Sequence, residues 1–95
     1  MLQKRPNGPA VRVTFRIPAP LRADTITLVG EFNNWNPTAT PLDKTSEGWA
    51  ATLELPPNRE FEYRYLADGR TWLNDWSADR YVPNELGGDN SVVRT

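Results

Sequence analysis

Carboxylate side chains are the groups in this sequence that could do acid–base chemistry, because the chain contains no histidine and no cysteine. Hydrolysis by two carboxylates needs a proton donor and a nucleophile or base on opposite sides of a cleft. The side chains available for this are Asp68, Asp75, Asp79, Glu85 and Asp89. All of them lie in predicted turns, and their spacing does not indicate such a pair. Serine–histidine catalysis would need a histidine, and the usual zinc sites would need histidine or cysteine ligands. The chain has neither residue type. We therefore predict a binding protein with no catalytic residues.

Oxygen ligands of the kind that calcium takes occur at Asn74, Asp75 and Asp79. Their spacing fits no ion-binding loop, and glycine is missing where a tight loop would need it. We therefore predict neither a metal site nor a cofactor.

Four tryptophans are the second unusual feature of this 95-residue chain. In so small a domain a tryptophan more often packs in the core than binds a ligand. Trp49 begins a predicted strand with its side chain facing inward, so we assign it to the core. Trp35 lies among three asparagines, and these polar neighbours favour an exposed loop tip. For Trp76, edge packing and ligand binding are equally compatible with the sequence.

Length and charge limit the class of protein. The chain is long enough for one domain only, and 11 basic against 12 acidic residues give a net charge of −1. That balance provides no electrostatic reason to expect nucleic acid or an anionic membrane as a partner. No apolar run approaches the ~18 residues of a membrane span, and no signal peptide is recognisable. We therefore expect a cytoplasmic protein.

Short strands are the elements that must position these residues. Val11 to Ile17 alternates apolar and polar side chains with the period of two that is typical of a half-buried strand. Further strands are predicted at 25–29, 49–55, 61–66, 71–73 and 91–94. Turn signals recur about every ten residues, which predicts an all-β sandwich of about seven short antiparallel strands. Only a short turn around residues 78–80 is compatible with helix.

The first ten residues contain a basic pair and an Asn-Gly-Pro turn signal. We predict a flexible N-terminal tail over residues 1–10 and a β-sandwich domain over residues 11–95.

Three sequence blocks occur in a recognisable order. The first is Gly-Glu-Phe-Asn-Asn-Trp at 30–35. The second runs from Tyr63 to Gly69 and continues through Trp72 to Asn74-Asp75, and the third covers 84–93. Together these blocks resemble family 48 carbohydrate-binding modules, whose signature loop is similar to the first block, and they follow the family's order over residues 11–94. The family includes the N-terminal domains of isoamylases and glycogen-branching enzymes, and the glycogen-binding domain of the AMP-activated protein kinase β subunit.

The resemblance implies an immunoglobulin-like β-sandwich with a shallow site for α-glucans. Trp35 and Trp72 would stack on sugar rings, with Arg64 as the basic residue beside them. Leu86 would reach into the helical glucan, and Asn90 would bind sugar hydroxyls. The implied partners are α-1,4-linked glucans (glycogen, starch, maltooligosaccharides or cyclodextrin) and a glycogen-metabolising enzyme or kinase.

Two positions depart from the family pattern. Members that bind glycogen usually have lysine in place of Arg64, and the kinase β subunit has threonine in place of Gly88. The chemistry of a neutral glucan nevertheless fits the remaining residues, because aromatic faces pack on C–H groups while Arg and Asn supply donors and an acceptor for hydroxyls.

The hairpin at Asp68-Gly69 provides a geometric test. A two-residue turn would pair Tyr65 with Trp72 and turn Trp72 toward the core. A three-residue loop pairs Leu66 with Trp72 and moves Trp72 to the face of Arg64. A sugar site that uses both residues therefore predicts the three-residue loop.

Two other functions fit the same sequence. One is a protein-docking domain with a degenerate sugar site, which the lost hydroxyl at Gly88 favours. The other is the leading domain of a family 13 glycoside hydrolase or branching enzyme. The start at Met1 and the end soon after the last predicted strand favour a free-standing protein.

Overall fold

The structure is a computed structural model that describes residues 2–18, 22–85 and 87–95. Within these ranges the chain forms nine strands and one turn of 3-10 helix, Glu31–Asn33. The strands are β1 Leu2–Asn7, β2 Ala10–Pro18, β3 Ile26–Gly30, β4 Asp43–Thr45, β5 Gly48–Leu55, β6 Glu60–Ala67, β7 Thr71–Leu73, β8 Arg80–Pro83 and β9 Asp89–Arg94. No helix in this described part of the chain is both long enough and apolar enough to cross a membrane.

The strands make two antiparallel sheets, as predicted for an immunoglobulin-like β-sandwich. The first sheet has the order β1-β2-β5-β4, and the second has the order β3-β6-β9-β8. Strand β7 also pairs with β6, through residues 65–67, whereas β9 pairs with β6 through residues 60–63. Arg64 of β6 is therefore opposite the junction between β7 and β9.

The core lies between the two sheets and follows the predicted alternation. On β2, Val13, Phe15 and Ile17 are at most 1% exposed, while the residues between them face outward. Across the core the ring centroids of Phe15 and Tyr63 are 5.1 Å apart in an edge-to-face arrangement, which is favourable for aromatic pairs. Trp49 is buried, as predicted.

The N-terminal segment differs from the expectation of a flexible tail over residues 1–10. Leu2–Asn7 is a strand that pairs with β2 along its whole length, and Asn7 is opposite Ala10. The Asn-Gly-Pro signal thus marks the tip of a two-residue hairpin. Strand β1 is mostly exposed and lacks alternation, so its own residues do not indicate a strand; the free edge of β2 provides its backbone partners.

The hairpin between β6 and β7 has the three-residue loop that the sugar-site interpretation predicts. Leu66 pairs with Trp72 and Ala67 with Thr71. Asp68 and Gly69 have φ values of 53° and 68°, the left-handed conformation that a loop of this length uses. Trp72 consequently shares a face with Arg64.

Candidate functional site

The loop after β3 holds Trp35 in an exposed position. Trp35 has a φ of 56°, is 39% exposed, and donates its backbone N–H to the Gly30 carbonyl at 2.8 Å. The Asn33 side chain ties the loop together, since its Oδ1 accepts from the Gly30 N–H at 3.0 Å and its Nδ2 donates to the Leu28 carbonyl at 2.9 Å. Phe32 anchors the loop through its ring contact with Phe15. Trp35 thus projects from a loop in which the nearby residues Phe32 and Asn33 are held in place.

Gly30 explains how this loop approaches β6 so closely. A Cβ at this position would lie 2.7 Å from the Glu62 carbonyl oxygen and 2.8 Å from Tyr63 Cβ. Any side chain would push the loop away from the strand that carries Arg64, so glycine is required here by space.

The β6–β7 hairpin supplies the second tryptophan and the cation. Trp72 is 44% exposed, and the Arg64 guanidinium carbon lies 5.8 Å from its ring centroid, within the range of a cation–π contact. Arg64 Nε is buried and finds no hydrogen-bond partner among the described residues. The contact with the Trp72 ring thus places the guanidinium beside the exposed indole.

The third part of the site is formed by amides at the start of β9 and before it. Asn90 Nδ2 donates to Glu62 Oε1 at 3.0 Å, and Asn90 Oδ1 accepts from Asn84 Nδ2 at 3.2 Å. The Gly88 N–H donates to Asn84 Oδ1 at 3.1 Å. These contacts connect the turn before β9 to strand β6.

These parts meet at one depression of about 280 Å³, lined by Trp35, Arg64, Trp72, Asn84 and Asn90. Four of the five site residues named from the sequence therefore lie together. Leu86 lies outside the described residues, and its role stays a prediction. Asn84 was missed, because an asparagine before Glu-Leu-Gly-Gly is typical of a turn and only its contact with Asn90 reveals its place in the site.

A second depression of about 680 Å³ shares Trp35, Asn84 and Asn90 with the first. Glu31 and Glu62 are among its other lining residues. The amides thus stand between a mainly aromatic region and an acidic one. Trp76, which the sequence could not place, is 58% exposed and is not among the residues that line either depression.

A buried polar cluster supports the loop between β7 and β8. Asp75 is 2% exposed and accepts hydrogen bonds from the hydroxyls of Tyr63 at 2.7 Å and Tyr65 at 3.0 Å. Its backbone N–H donates to Ser91 Oγ at 2.9 Å, and the Ser91 hydroxyl donates to Asn74 Oδ1. The loop is therefore fixed to β9 one residue from Asn90.

The pKa values of both tyrosines are raised well above their ordinary value, first because the hydroxyls are desolvated by burial and then because they lie beside other groups such as Asp75. The hydroxyls stay protonated and continue to donate. This cluster is a structural one, and in the described part of the chain no group of three or more acidic side chains is close enough to hold a metal ion.

The arrangement presents two partly exposed aromatic faces, one guanidinium and two amides around a shallow surface. Such a surface can pack on apolar C–H patches and can both donate to and accept from hydroxyl groups. It is suited to a flat, neutral, hydroxyl-rich ligand.

Comparison with known proteins finds a matching family and a similar enzyme. Residues 4–82 match the model of the family "Carbohydrate-binding module 48 (Isoamylase N-terminal domain)". The chain is also similar to a 1,4-alpha-glucan branching enzyme of Bacillus caldolyticus, with 38% identity over 79 residues. That match covers 79% of this chain and 11% of the enzyme, so the chain spans about a ninth of this relative's length. The family match contains Trp35, Arg64 and Trp72 but ends before Asn84.

Proposed function

The chain belongs to the carbohydrate-binding module 48 family, and on that premise we propose that it is a non-catalytic module that binds α-1,4-linked glucans of the glycogen or starch type. The observation that carries the proposal is the meeting of Trp35, Trp72 and Arg64 with the amide of Asn90 at one shallow depression. These residues come from three separate segments of the chain.

The proposed mode of binding divides the ligand between two kinds of contact. The exposed faces of Trp35 and Trp72 pack on the C–H faces of glucose rings, where the negative face of the indole meets the positive C–H edges. Arg64 and Asn90 then bind hydroxyl groups. Because the site is shallow and few ligand atoms are desolvated, we expect dissociation constants of about 10 μM to 1 mM, or roughly −7 to −4 kcal/mol.

A second proposal concerns the enzyme that the module serves. Its similarity to a branching enzyme favours a role as the leading domain of such an enzyme, or as a partner of a glycogen-metabolising enzyme rather than of a kinase. In either case the module would hold the polymer while another domain does the chemistry. A cytoplasmic location, expected from the sequence, stays a prediction.

Titration with β-cyclodextrin, followed by intrinsic tryptophan fluorescence, tests the proposed function. We expect a saturable change in the wild-type chain and its loss in the Trp35→Ala and Trp72→Ala variants. Trp76→Ala is the matched control: this tryptophan is also exposed to solvent but is not among the residues that line the depression, so its removal should leave the dissociation constant unchanged.

The Trp35→Ala variant should keep its fold, because Phe32 and Asn33 hold the loop; circular dichroism checks this. No response of the wild-type chain up to about 10 mM ligand would mean binding weaker than roughly −3 kcal/mol. The sugar site would then be degenerate, and a protein-docking role would replace the proposal.

A further inference from the structure

The amide of Asn90 is held at both ends, and its two ends are distinguished by their partners. Glu62 Oε1 accepts from Nδ2, while Asn84 Nδ2 donates to Oδ1. An ionised carboxylate can only accept hydrogen bonds. The NH₂ group of Asn90 is therefore directed to Glu62, and its carbonyl is directed to Asn84.

The orientation of Asn84 is fixed in the same way. The Gly88 backbone N–H can only donate, and it donates to Asn84 Oδ1. This leaves Asn84 Nδ2 to face Asn90. Donors thus point in one direction along the series from Gly88 through Asn84 and Asn90 to Glu62, and hydrogen bonds aligned in this way polarise and strengthen one another.

Glu62 is itself well placed to end this series. It lies on β6 two residues before Arg64, and it is opposite Val92 of β9. Its backbone N–H donates to the Glu31 carboxylate at 2.6 Å, and Glu31 directly follows β3. The position of Glu62 is therefore tied to the segment that leads to Trp35.

We propose that Glu62 is a positioning residue for the sugar site. Its carboxylate holds the Asn90 amide in one of the two orientations that a flip of the amide would interchange. This inference rests on the proposed function. With one N–H and one lone pair engaged, the amide keeps one donor and one acceptor in fixed directions for sugar hydroxyls. Because the amide is oriented before the ligand arrives, binding does not have to order it.

The test compares two replacements of the same residue. Glu62→Ala removes the acceptor, and we expect the dissociation constant for β-cyclodextrin to rise about five- to tenfold, the loss of one hydrogen bond's contribution. Glu62→Gln keeps a carbonyl oxygen that can accept from Asn90 Nδ2, so it should bind within about threefold of the wild type. Rescue by the conservative variant is what a positioning role requires.

Glu60→Ala is the matched control. Glu60 lies on the same strand and bonds to Arg80 and Arg94, so its loss disturbs β6 without touching Asn90. We expect this variant to keep wild-type affinity. Equal weakening in all three variants would show a general effect on the strand and would overturn the proposal, as would wild-type affinity in Glu62→Ala.

The side-chain NH₂ signals of Asn90 in a ¹⁵N-correlated NMR spectrum report its orientation without ligand. They can be assigned from their absence in Asn90→Asp, and we expect them to shift in Glu62→Ala but to stay close to the wild type in Glu60→Ala. An unchanged Asn90 signal in Glu62→Ala would contradict the proposal even if sugar binding were weakened. If the wild-type chain bound no sugar, the proposed function would fail and the positioning role with it, whatever the amide spectrum showed.

Discussion

At the scale of single residues, Asp75 shows how a carboxylate that could suggest chemistry serves structure instead. Its side chain is buried and receives two tyrosine hydroxyls, and Oδ1 also accepts from the Ser77 N–H at 3.0 Å. Such a group is costly to remove, because its partners are left without an acceptor in a place that water does not reach. The same side chain fixes the loop that follows Trp72.

Asp75→Ala should destabilise the fold by about 2–6 kcal/mol, since two buried hydroxyls lose their acceptor at about 1–3 kcal/mol each. Tyr65→Phe removes one donor and leaves Asp75 with the other, so it should cost only about 1 kcal/mol. Unfolding by urea measures both free energies. A loss below about 1 kcal/mol for Asp75→Ala would mean that the hydroxyls find other partners.

The residues of the site were predictable to different degrees. Trp35 and Trp72 belong to recognisable blocks, and the pairing of Leu66 with Trp72 follows from loop length alone. Asn84 and Glu62 were not predictable. Their importance comes from hydrogen bonds to Asn90 across 6 and 28 residues, and such contacts leave no periodic pattern in a sequence.

At the scale of elements, most of the predicted strands have a buried face; β7, predicted from the Asp-Gly turn before it, has no buried residue. Strands β2 and β6 alternate because one side of each contacts the core. The strands that the sequence did not indicate, β1, β4 and β8, are at the edges of the two sheets. An edge strand is specified largely by the unpaired backbone of its neighbour, so its own residues carry little of the information that places it.

One ionic cluster joins three strands of the second sheet. Glu60 of β6 accepts from Arg80 of β8 at 2.7 Å and from Arg94 of β9 at 2.6 Å. These hydrogen bonds, that from Arg80 first, lower the pKa of Glu60 from its ordinary 4.5 to about 2. The carboxylate thus helps to hold the edge of the sheet whose outer face carries the site.

The lowered pKa gives a prediction with a defined direction. An acid whose pKa is lower in the folded state stabilises the fold above its unfolded pKa, and this contribution is lost as the pH falls toward the folded value. The contribution of Glu60 should therefore be complete above about pH 5 and decline toward pH 2. Glu60→Gln should lower the melting temperature at pH 7 and flatten its dependence on pH in this window. Parallel profiles for the two proteins would contradict the assignment.

At the scale of the whole molecule, the inner and outer faces of the sheets have different roles. The inner faces make the core, and the outer face of the second sheet presents Trp35, Arg64 and Trp72 together with Asn84 and Asn90. These residues are far apart in sequence and meet only when both sheets are in place, because the β3 loop is held by core contacts of Phe32. Ligand binding therefore reports on the folded sandwich rather than on any single hairpin.

The charges of the molecule predict how binding depends on salt. The net charge is −1, and cations are paired with carboxylates on other strands: Arg12 pairs with Glu54 on the neighbouring strand, and Arg80 of β8 pairs with Glu60 of β6 across β9. A neutral glucan held by indole faces and amides exchanges no counterions when it binds. We therefore expect the dissociation constant for β-cyclodextrin to change less than about twofold between roughly 0.05 and 0.5 M NaCl, although screening increases strongly over this range.

A polyanion held through Arg64 would instead lose affinity steeply with salt. Isothermal titration at the two salt concentrations separates these cases. Steep weakening would show that charge rather than stacking dominates the site, and the neutral-glucan proposal would have to be abandoned.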